Sequence, residues 1–438
     1  MNLILGNIVD NVTAKKVIKN LDKYILKAKE AQPFNAATVI SACDKLSSKL
    51  SEDDIKLLID MGVPDYKAEQ EFKILKLILS KEYLENRLKT ELGTSETYEY
   101  EEEYKPCGYD VKVRHKFVAL GTLFHISAGN IELLAAFSII EGLLTGNINI
   151  VKLASSDDGL SVILLKKLID IADDLAEKIE KLRNFLIVLV KILKKISRLS
   201  DAIVVWGSDE AIRAARTFAG INTRIIEWGH KISFAYVSYD KNIDDIPDKE
   251  LYSLAYNICD TNQLFCNSCQ GIMLDCTDFN ELKTFAKRFL TILEEVAKSM
   301  PSELDIRIAA AKRLELYTEK LESLQNDDKS VFQGENVNVI VYKNQDLKTS
   351  HMFRNPWIKA LPKEQLLKAL LPYKNYLQTV ALVCPQGKRH EFEDIFSKSG
   401  AVRICSGKNM SINYCGMPHD GEFPLRRYMK VMSYEVVS

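Results

Sequence analysis

The chain has 438 residues, 47% hydrophobic and 27% charged, with 59 Lys and Arg against 60 Asp and Glu for a net charge of −1. That length exceeds what one hydrophobic core serves and predicts two domains, while the charge balance excludes a dedicated nucleic-acid binder. The start, MNLILGNIVDNVTAKK, has no basic run leading into a long apolar one, and neither FLIVLV (185–190) nor the stretch from Ile131 to Leu144 reaches the roughly 20 residues a bilayer demands, so no secretion signal or transmembrane segment is expected and the default location is cytoplasmic.

Residues 1–90 carry apolar residues at three- and four-residue spacing with Lys and Glu on the other faces, the pattern of helices. SETYEYEEEY (95–104) is acidic and aromatic, a surface connection or an edge strand. An alternating pattern follows. Strand material at 111–126 precedes a buried helix at 131–145 and the β-branched strand NINIVKLA (147–154). Helical periodicity runs over 157–198, then the strand AIVVW (202–206), a helix over 208–219 capped by Ser or Asp, and the strands RIIEW (224–228) and ISFAYVSY (232–239). Beyond Asp248 come the strand GIMLD (271–275) and an amphipathic helix over 281–300 with Leu282, Phe285, Ala286, Phe289, Leu293 and Val296 on one face. Helices at 305–325, 363–374 and 387–399 alternate with the strands NVNVIVY (336–342) and LQTVALVC (377–384). Such alternation predicts parallel sheets covered on both faces, in two open α/β domains divided near residue 240.

Nine cysteines, odd in number and scattered, do not form a disulfide framework; most are expected to be reduced core residues. Neither G-x-G-x-x-G nor G-x-x-x-x-G-K-[ST] occurs, so no standard nucleotide motif is present. Four segments remain. VVWGSDEAIR (204–213) runs strand, Gly207-Ser208, helix, which is either an ordinary βα turn or a helix N-terminus able to hold a pyrophosphate. NQLFCNSCQ (262–270) places two thiols at C-x-x-C spacing; inert core thiols, a redox dithiol and one nucleophilic cysteine compete, and no second Cys or His pair supports zinc, so no metal is expected. In RIIEWGHKISF (224–234), Glu227 lies inside an apolar strand, where desolvation would raise its pKa and suit it to general-base work, unless a Lys or Arg, such as Lys231 or Arg224, pairs with it. In GTLFHISAGNIE (121–132) and GNINIVKLASSD (146–157), Asn130 follows a glycine in a turn and Lys152 ends an apolar strand: an oxyanion donor and a working cation, or a turn residue and a snorkelling lysine.

Taken together, HISAGN (125–130), GNINIVKLASSD, AIVVWGSDEAIR and PHDGEFPLRRYMK (418–430) resemble, in register, the acyl-CoA or acyl-protein reductase (LuxC-type) branch of the aldehyde dehydrogenase superfamily, over roughly residues 110–438. The resemblance implies two Rossmann-like open parallel-sheet domains with an N-terminal helical region: residues 1–240 for the helices and the nicotinamide cofactor, 241–415 for the thiol, and 416–438 as a C-terminal return segment. It makes Cys266, three residues after Gln263, the nucleophile, Asn130 the oxyanion donor and Glu227 the general base, with Gly229 in the turn that follows. Lys152 would hold the adenosine ribose or its phosphate, and Gly207 and Ser208 would lie beneath the cofactor. Ser155 stands where relatives that prefer NAD carry an acid that binds the ribose hydroxyls; its neutrality favours NADPH, with NADH as the alternative. Glu132 stands where Pro is common, and the second family glutamate, which contacts the nicotinamide ribose, has no match. The implied reaction is reduction of a long-chain acyl thioester to an aldehyde. The donor is acyl-CoA or an acyl carrier or acyl-protein synthetase, and the enzyme is a homodimer or homotetramer. Aldehyde oxidation by the same residues, and a noncatalytic acyl-binding scaffold, are the competing readings.

Overall fold

A computed structural model describes residues 2–30, 36–60, 65–94, 102–129, 133–154, 159–173, 186–189, 194–302 and 304–436. The chain divides into two units, Met1–Gly229 with Tyr414–Ser438, and His230–Asn413.

The first unit opens with a hairpin, β1 (Asn2–Ile4) and β2 (Asn7–Val9). Leu5 and Gly6 turn it with φ of 49° and 82°, the double left-handed geometry of a tight two-residue turn, so the helical expectation fails for residues 2–9. Among the described residues, six helices between Asn11 and Leu92 follow, in keeping with the periodicity. The acidic segment ends in β3 (Glu102–Tyr104), a short edge strand against β4 (Val113–Ala119); its first residues, 95–101, lie outside the described residues. Then come β5 (Thr122–Ile126), β6 (Ile148–Lys152), β7 (Leu186–Leu189), β8 (Ala202–Trp206) and β9 (Arg224–Trp228). The expectation of unbroken helix over 157–198 is corrected here. Leu186–Leu189 pairs in parallel with β6, and its four branched apolar residues in a row have strand propensity.

These strands form one sheet in the order β2-β1-β7-β6-β5-β8-β9. The five strands from β7 to β9 are parallel, and β1 covers the β7 edge antiparallel to it. The helix Leu134–Leu144 between β5 and β6 buries Ala135, Ala136, Ile139, Ile140, Leu143 and Leu144, which is why it reads as apolar nearly all round.

The second unit holds β10 (Ile232–Val237), β11 (Cys269–Leu274), β12 (Lys329–Gln333), β13 (Asn338–Tyr342), β14 (Trp357–Ala360), β15 (Leu377–Val383) and β16 (Arg403–Cys405), ordered β12-β13-β14-β11-β10-β15-β16. All but β12 run parallel. β10, β11 and β15 are buried along their whole lengths, and the helix Phe279–Ser299 presents its six expected apolar residues to this core. Because β10 sits between β11 and β15, the division falls after Gly229 and not near residue 240.

From Tyr414 the chain returns to the first unit. Its last strand, β17 (Met429–Glu435), pairs with β4 and completes the three-stranded sheet β17-β4-β3. Just before it, Leu425 N donates to the buried Glu91 carboxylate at 2.8 Å, and Tyr428 is fully buried in the core. Glu91 also pairs with Arg87 (2.7 Å), which reaches Glu141 at 2.5 Å, so the return segment docks on a cluster of one guanidinium and two carboxylates, and its Leu425 N–H offsets part of the excess negative charge.

Candidate active site

In the first sheet the strand order reverses between β5 and β8, the geometry that opens a crevice at the carboxyl ends of parallel strands. Gly207 leaves β8 with φ of 151°, and a Cβ there would stand 3.1 Å from that of Ala211. Its N–H donates to Trp228 O at 3.2 Å, pinning the turn to the end of β9. Ser208 is the N-cap of the helix Asp209–Phe218, and its hydroxyl helps hold the Glu210 carboxyl below the usual carboxylate range. Asp209 and Glu210 already complement this helix's dipole, so a phosphate here would meet like charge. The turn's single glycine makes it tight and close-packed.

Lys152 ends β6 half-buried, and its carbonyl accepts Ser127 N at 3.2 Å, joining the ends of β5 and β6. Asn130 and Ser155, like Glu132, lie outside the described residues. Gly229 closes the unit, where a Cβ would press on Ile212 Cδ1 at 2.9 Å.

Glu227 requires a correction. Its strand is the sheet edge, and the carboxylate is not isolated among apolar groups. Arg216, on the preceding helix, grips it through Nε at 2.5 Å and Nη2 at 2.8 Å, a bidentate pair. The expected partners, Lys231 and Arg224, are engaged elsewhere: Lys231 donates to Asn375 O and Arg224 to the carbonyls of Arg427 and Met429.

Two features here were missed in the sequence. His125, in HISAGN, is fully buried, with Nδ1 2.7 Å from Ser138 Oγ and Nε2 3.0 Å from Asn149 Oδ1; burial pushes its pKa down to about 4, so it is neutral. Trp206 and Trp228, at the carboxyl ends of β8 and β9, stack at 5.4 Å, and His419 from PHDGEFPLRRYMK packs on both, at 5.2 and 4.9 Å. Arg427 lies over Trp228 at 5.1 Å. The C-terminal motif thus closes this end of the sheet, a role that a sequence pattern alone does not reveal.

In the second unit, the thiol segment lies between the helix Asp248–Thr261 and β11, at the amino ends of the parallel strands. Asn262 and Gln263 turn the chain with φ of 47° and 62°. Gln263 is wholly buried: Nε2 donates to the carbonyls of Cys269 (2.9 Å) and Gln270 (3.1 Å), and Oε1 accepts Asn355 N at 2.9 Å. Phe265 N donates to Ser268 Oγ and Ser268 N returns to Phe265 O, both at 3.0 Å. Ser233 Oγ donates to Cys266 O at 2.7 Å and accepts Thr379 N at 3.0 Å, tying the thiol-bearing residue to the centre of the sheet. Cys266 is half-buried on this fixed turn. Its neighbours differ: burial pushes the thiol of Cys259 up to about 11 and those of Cys269 and Cys276 up to about 12. Cys269 lies inside β11 and is an inert core thiol. Among the described residues no group of three or more His, Cys, Asp or Glu could hold a metal.

The expected cofactor residues that are described, Lys152, Gly207, Ser208 and Gly229, thus fall in the first unit with Glu227, and Cys266 falls in the second. No helix among the described residues is long and apolar enough to cross a membrane.

Solved aldehyde dehydrogenases share the fold. Lactaldehyde dehydrogenase from Escherichia coli superposes with a TM-score of 0.68 at 14% identity, covering 97% of this chain and 91% of that one. Glyceraldehyde-3-phosphate dehydrogenase from Methanocaldococcus jannaschii, complexed with NADP, gives 0.68 at 15% identity over 98% and 95%. In sequence, the long-chain acyl-protein thioester reductase of Vibrio harveyi is 25% identical over 384 residues, 86% of this chain and 76% of its own length. That of Photobacterium phosphoreum is 26% identical over 390 residues, 86% and 74% respectively. The family model described as acyl-CoA reductase (LuxC) matches residues 33–431. Matched over nearly its whole length, the chain belongs to the LuxC family of acyl-CoA reductases.

Proposed function

We propose that this protein reduces a long-chain fatty acyl thioester to the aldehyde, with Cys266 as nucleophile and a nicotinamide cofactor held by the first unit. The observation that carries the reading is the setting of Cys266. It is half-buried on a turn fixed by Ser233, Gln263 and Ser268, while Cys259, Cys269 and Cys276 around it are buried with raised pKa.

The Cys266 thiolate attacks the carbonyl carbon of the donor thioester, a new C–S bond forms, and the donor thiolate leaves. Asn130 and the Cys266 backbone N–H are the proposed donors to the tetrahedral oxyanion. A nicotinamide cofactor, when bound, would supply hydride, and Cys266 holds the acyl carbon that receives it as a thioester. The resulting thiohemiacetal anion on Cys266 collapses, its C–S bond breaks, and the aldehyde and the thiolate are released. Glu227 is the proposed acceptor for the thiol proton, and its pairing with Arg216 must loosen for it to act. Lys152, Gly207 and Ser208 fit a dinucleotide on the sheet reversal and the glycine turn; with neutral Ser155, Lys152 favours NADPH. The donor is acyl-CoA or an acyl group carried by a protein partner.

The test is intact-mass analysis after incubation with acyl-CoAs of several lengths. A hydroxylamine-labile adduct on wild type, absent from Cys266→Ser together with NADPH turnover, is the expected result. Turnover retained by Cys266→Ser, or NADP reduction with aldehyde far exceeding thioester reduction, would overturn it.

A further inference from the structure

At Ser233 the second sheet departs from regular pairing on both sides. Along β11, Ser233 pairs with Cys269 and Ala235 with Ile272; along β15, Ile232 pairs with Leu377 and Phe234 with Val380. While β10 advances two residues, each neighbour therefore advances three. An extra residue in a ladder unpairs backbone groups and re-aims side chains, and such bulges recur beside active sites.

The Ser233 hydroxyl takes over what the ladder gives up. It is wholly buried, accepts Thr379 N at 3.0 Å from the bulged stretch of β15, and donates to Cys266 O at 2.7 Å. On the β11 side, Cys269 N turns instead to Asn257 Oδ1 at 2.8 Å. A hydroxyl has one proton to give, and here the Thr379 N–H occupies its lone pair and leaves that proton for Cys266 O.

Peptide geometry carries this to the nucleophile. Residues 265–268 form a turn closed by Ser268 N to Phe265 O and by Phe265 N to Ser268 Oγ, both at 3.0 Å. A peptide unit is planar, so holding Phe265 O fixes the line of the Cys266 N–H on the opposite side of the same unit. Holding Cys266 O fixes the next unit. With both units held, φ and ψ of Cys266 are held, and with them the angle between its Cα–Cβ bond and its N–H. The turn secures one side of Cys266; Ser233 secures the other from the centre of the sheet.

We propose that Ser233 is a positioning residue for the oxyanion step: its hydroxyl, slung between Thr379 N and Cys266 O, keeps the Cys266 N–H aimed at the oxygen of an acyl group on the same residue's sulfur. This rests on reading Cys266 as the nucleophile. The role is confined to steps that build charge on that oxygen. Alkylation of the thiolate by iodoacetamide forms a C–S bond and expels iodide with no oxyanion, so it does not call on the N–H.

The experiment compares the two reactions on the full-length protein, with the Cys266 peptide read by mass spectrometry. In Ser233→Ala, acylation by an acyl-CoA should slow about tenfold to a hundredfold while alkylation stays within about twofold of wild type. The kcat should fall with acylation and KM should hold. Ser233→Thr, which keeps the hydroxyl, should recover most of the rate. Ser233→Cys, a weak donor of similar shape, should slow acylation in the same selective way, and it carries the test if Ser233→Ala does not fold. Acylation at the wild-type rate in the folded Ala or Cys variant, equal slowing of acylation and alkylation, or no recovery in Ser233→Thr overturns the proposal. A wild type that forms no acyl adduct at Cys266 overturns the nucleophile reading itself, and this proposal with it.

Discussion

His125 illustrates what one residue's surroundings decide. Its neutral ring bridges Ser138 and Asn149, with the Tyr428 ring edge-on at 6.1 Å. The folded protein takes a proton at His125 only near pH 4, whereas the unfolded chain takes one near the ordinary value of 6.5. Between those values the unfolded state binds more protons, so stability falls as pH falls from 6.5 towards 4. At pH 5 this amounts to about 2 kcal/mol relative to neutrality. Urea unfolding at neutral pH and at pH 5 should show that loss in wild type and a smaller one in His125→Gln; equal losses would mean that His125 is not the source. The same scale explains what was legible. Cys266 could be picked out from its four-cysteine neighbourhood only through the family pattern, because burial of the other three depends on sheet pairing. That an arginine pairs with Glu227 was foreseeable, but not which one: Arg216 lies eleven residues away on the preceding helix, and a strand's own composition says nothing of what lies across it. Proton transfer to Glu227 predicts that Glu227→Gln slows acyl-adduct formation by about a hundredfold or more, with cofactor affinity unchanged by fluorescence titration.

Among the elements, the long periodic ones were readable and the short ones were not. The helix Phe279–Ser299 and the strands β8 and β15 carry enough pattern to stand alone. β7 has four residues and β16 three, while β12 (KSVFQ) and β14 (WIKA) contain lysines that break an apolar run; such strands exist because a neighbour offers them a ladder. Helix propensity is outvoted in the same way at Gly142. Alanine there would gain about 1 kcal/mol on propensity. Its Cβ, however, would fall 1.8 Å from Asn149 Oδ1, the atom that holds His125. Displacing Asn149 leaves buried polar groups unsatisfied at about 1–3 kcal/mol, which exceeds the gain. Gly142→Ala should therefore be destabilised by about 1 kcal/mol or more in chemical denaturation, and an unchanged or raised midpoint would show that Asn149 can move aside.

At the scale of the molecule, the first unit is discontinuous and the second is not. The return segment gives the first unit β17, the buried Tyr428, the donor to Glu91 and the aromatic packing of His419. A chain ending at Asn413 should lose amide protection in β4 and in β8 and β9, while β10, β11 and β15 keep theirs; hydrogen exchange by mass spectrometry distinguishes the two sets, and uniform protection would contradict this dependence. The parallel strands of both units were anticipated from alternation, but the ownership of Ile232–Val237 was not, since a strand's hydrophobicity does not say which sheet it joins. Discontinuity also fixes an order of events on the ribosome. Residues 230–413 are contiguous and can close their sheet as soon as they emerge, whereas the earlier-made portion must wait for the final two dozen residues before Glu91 and the two tryptophans are covered. Until then a nascent chain exposes an unfinished surface on its first unit while the second is already closed.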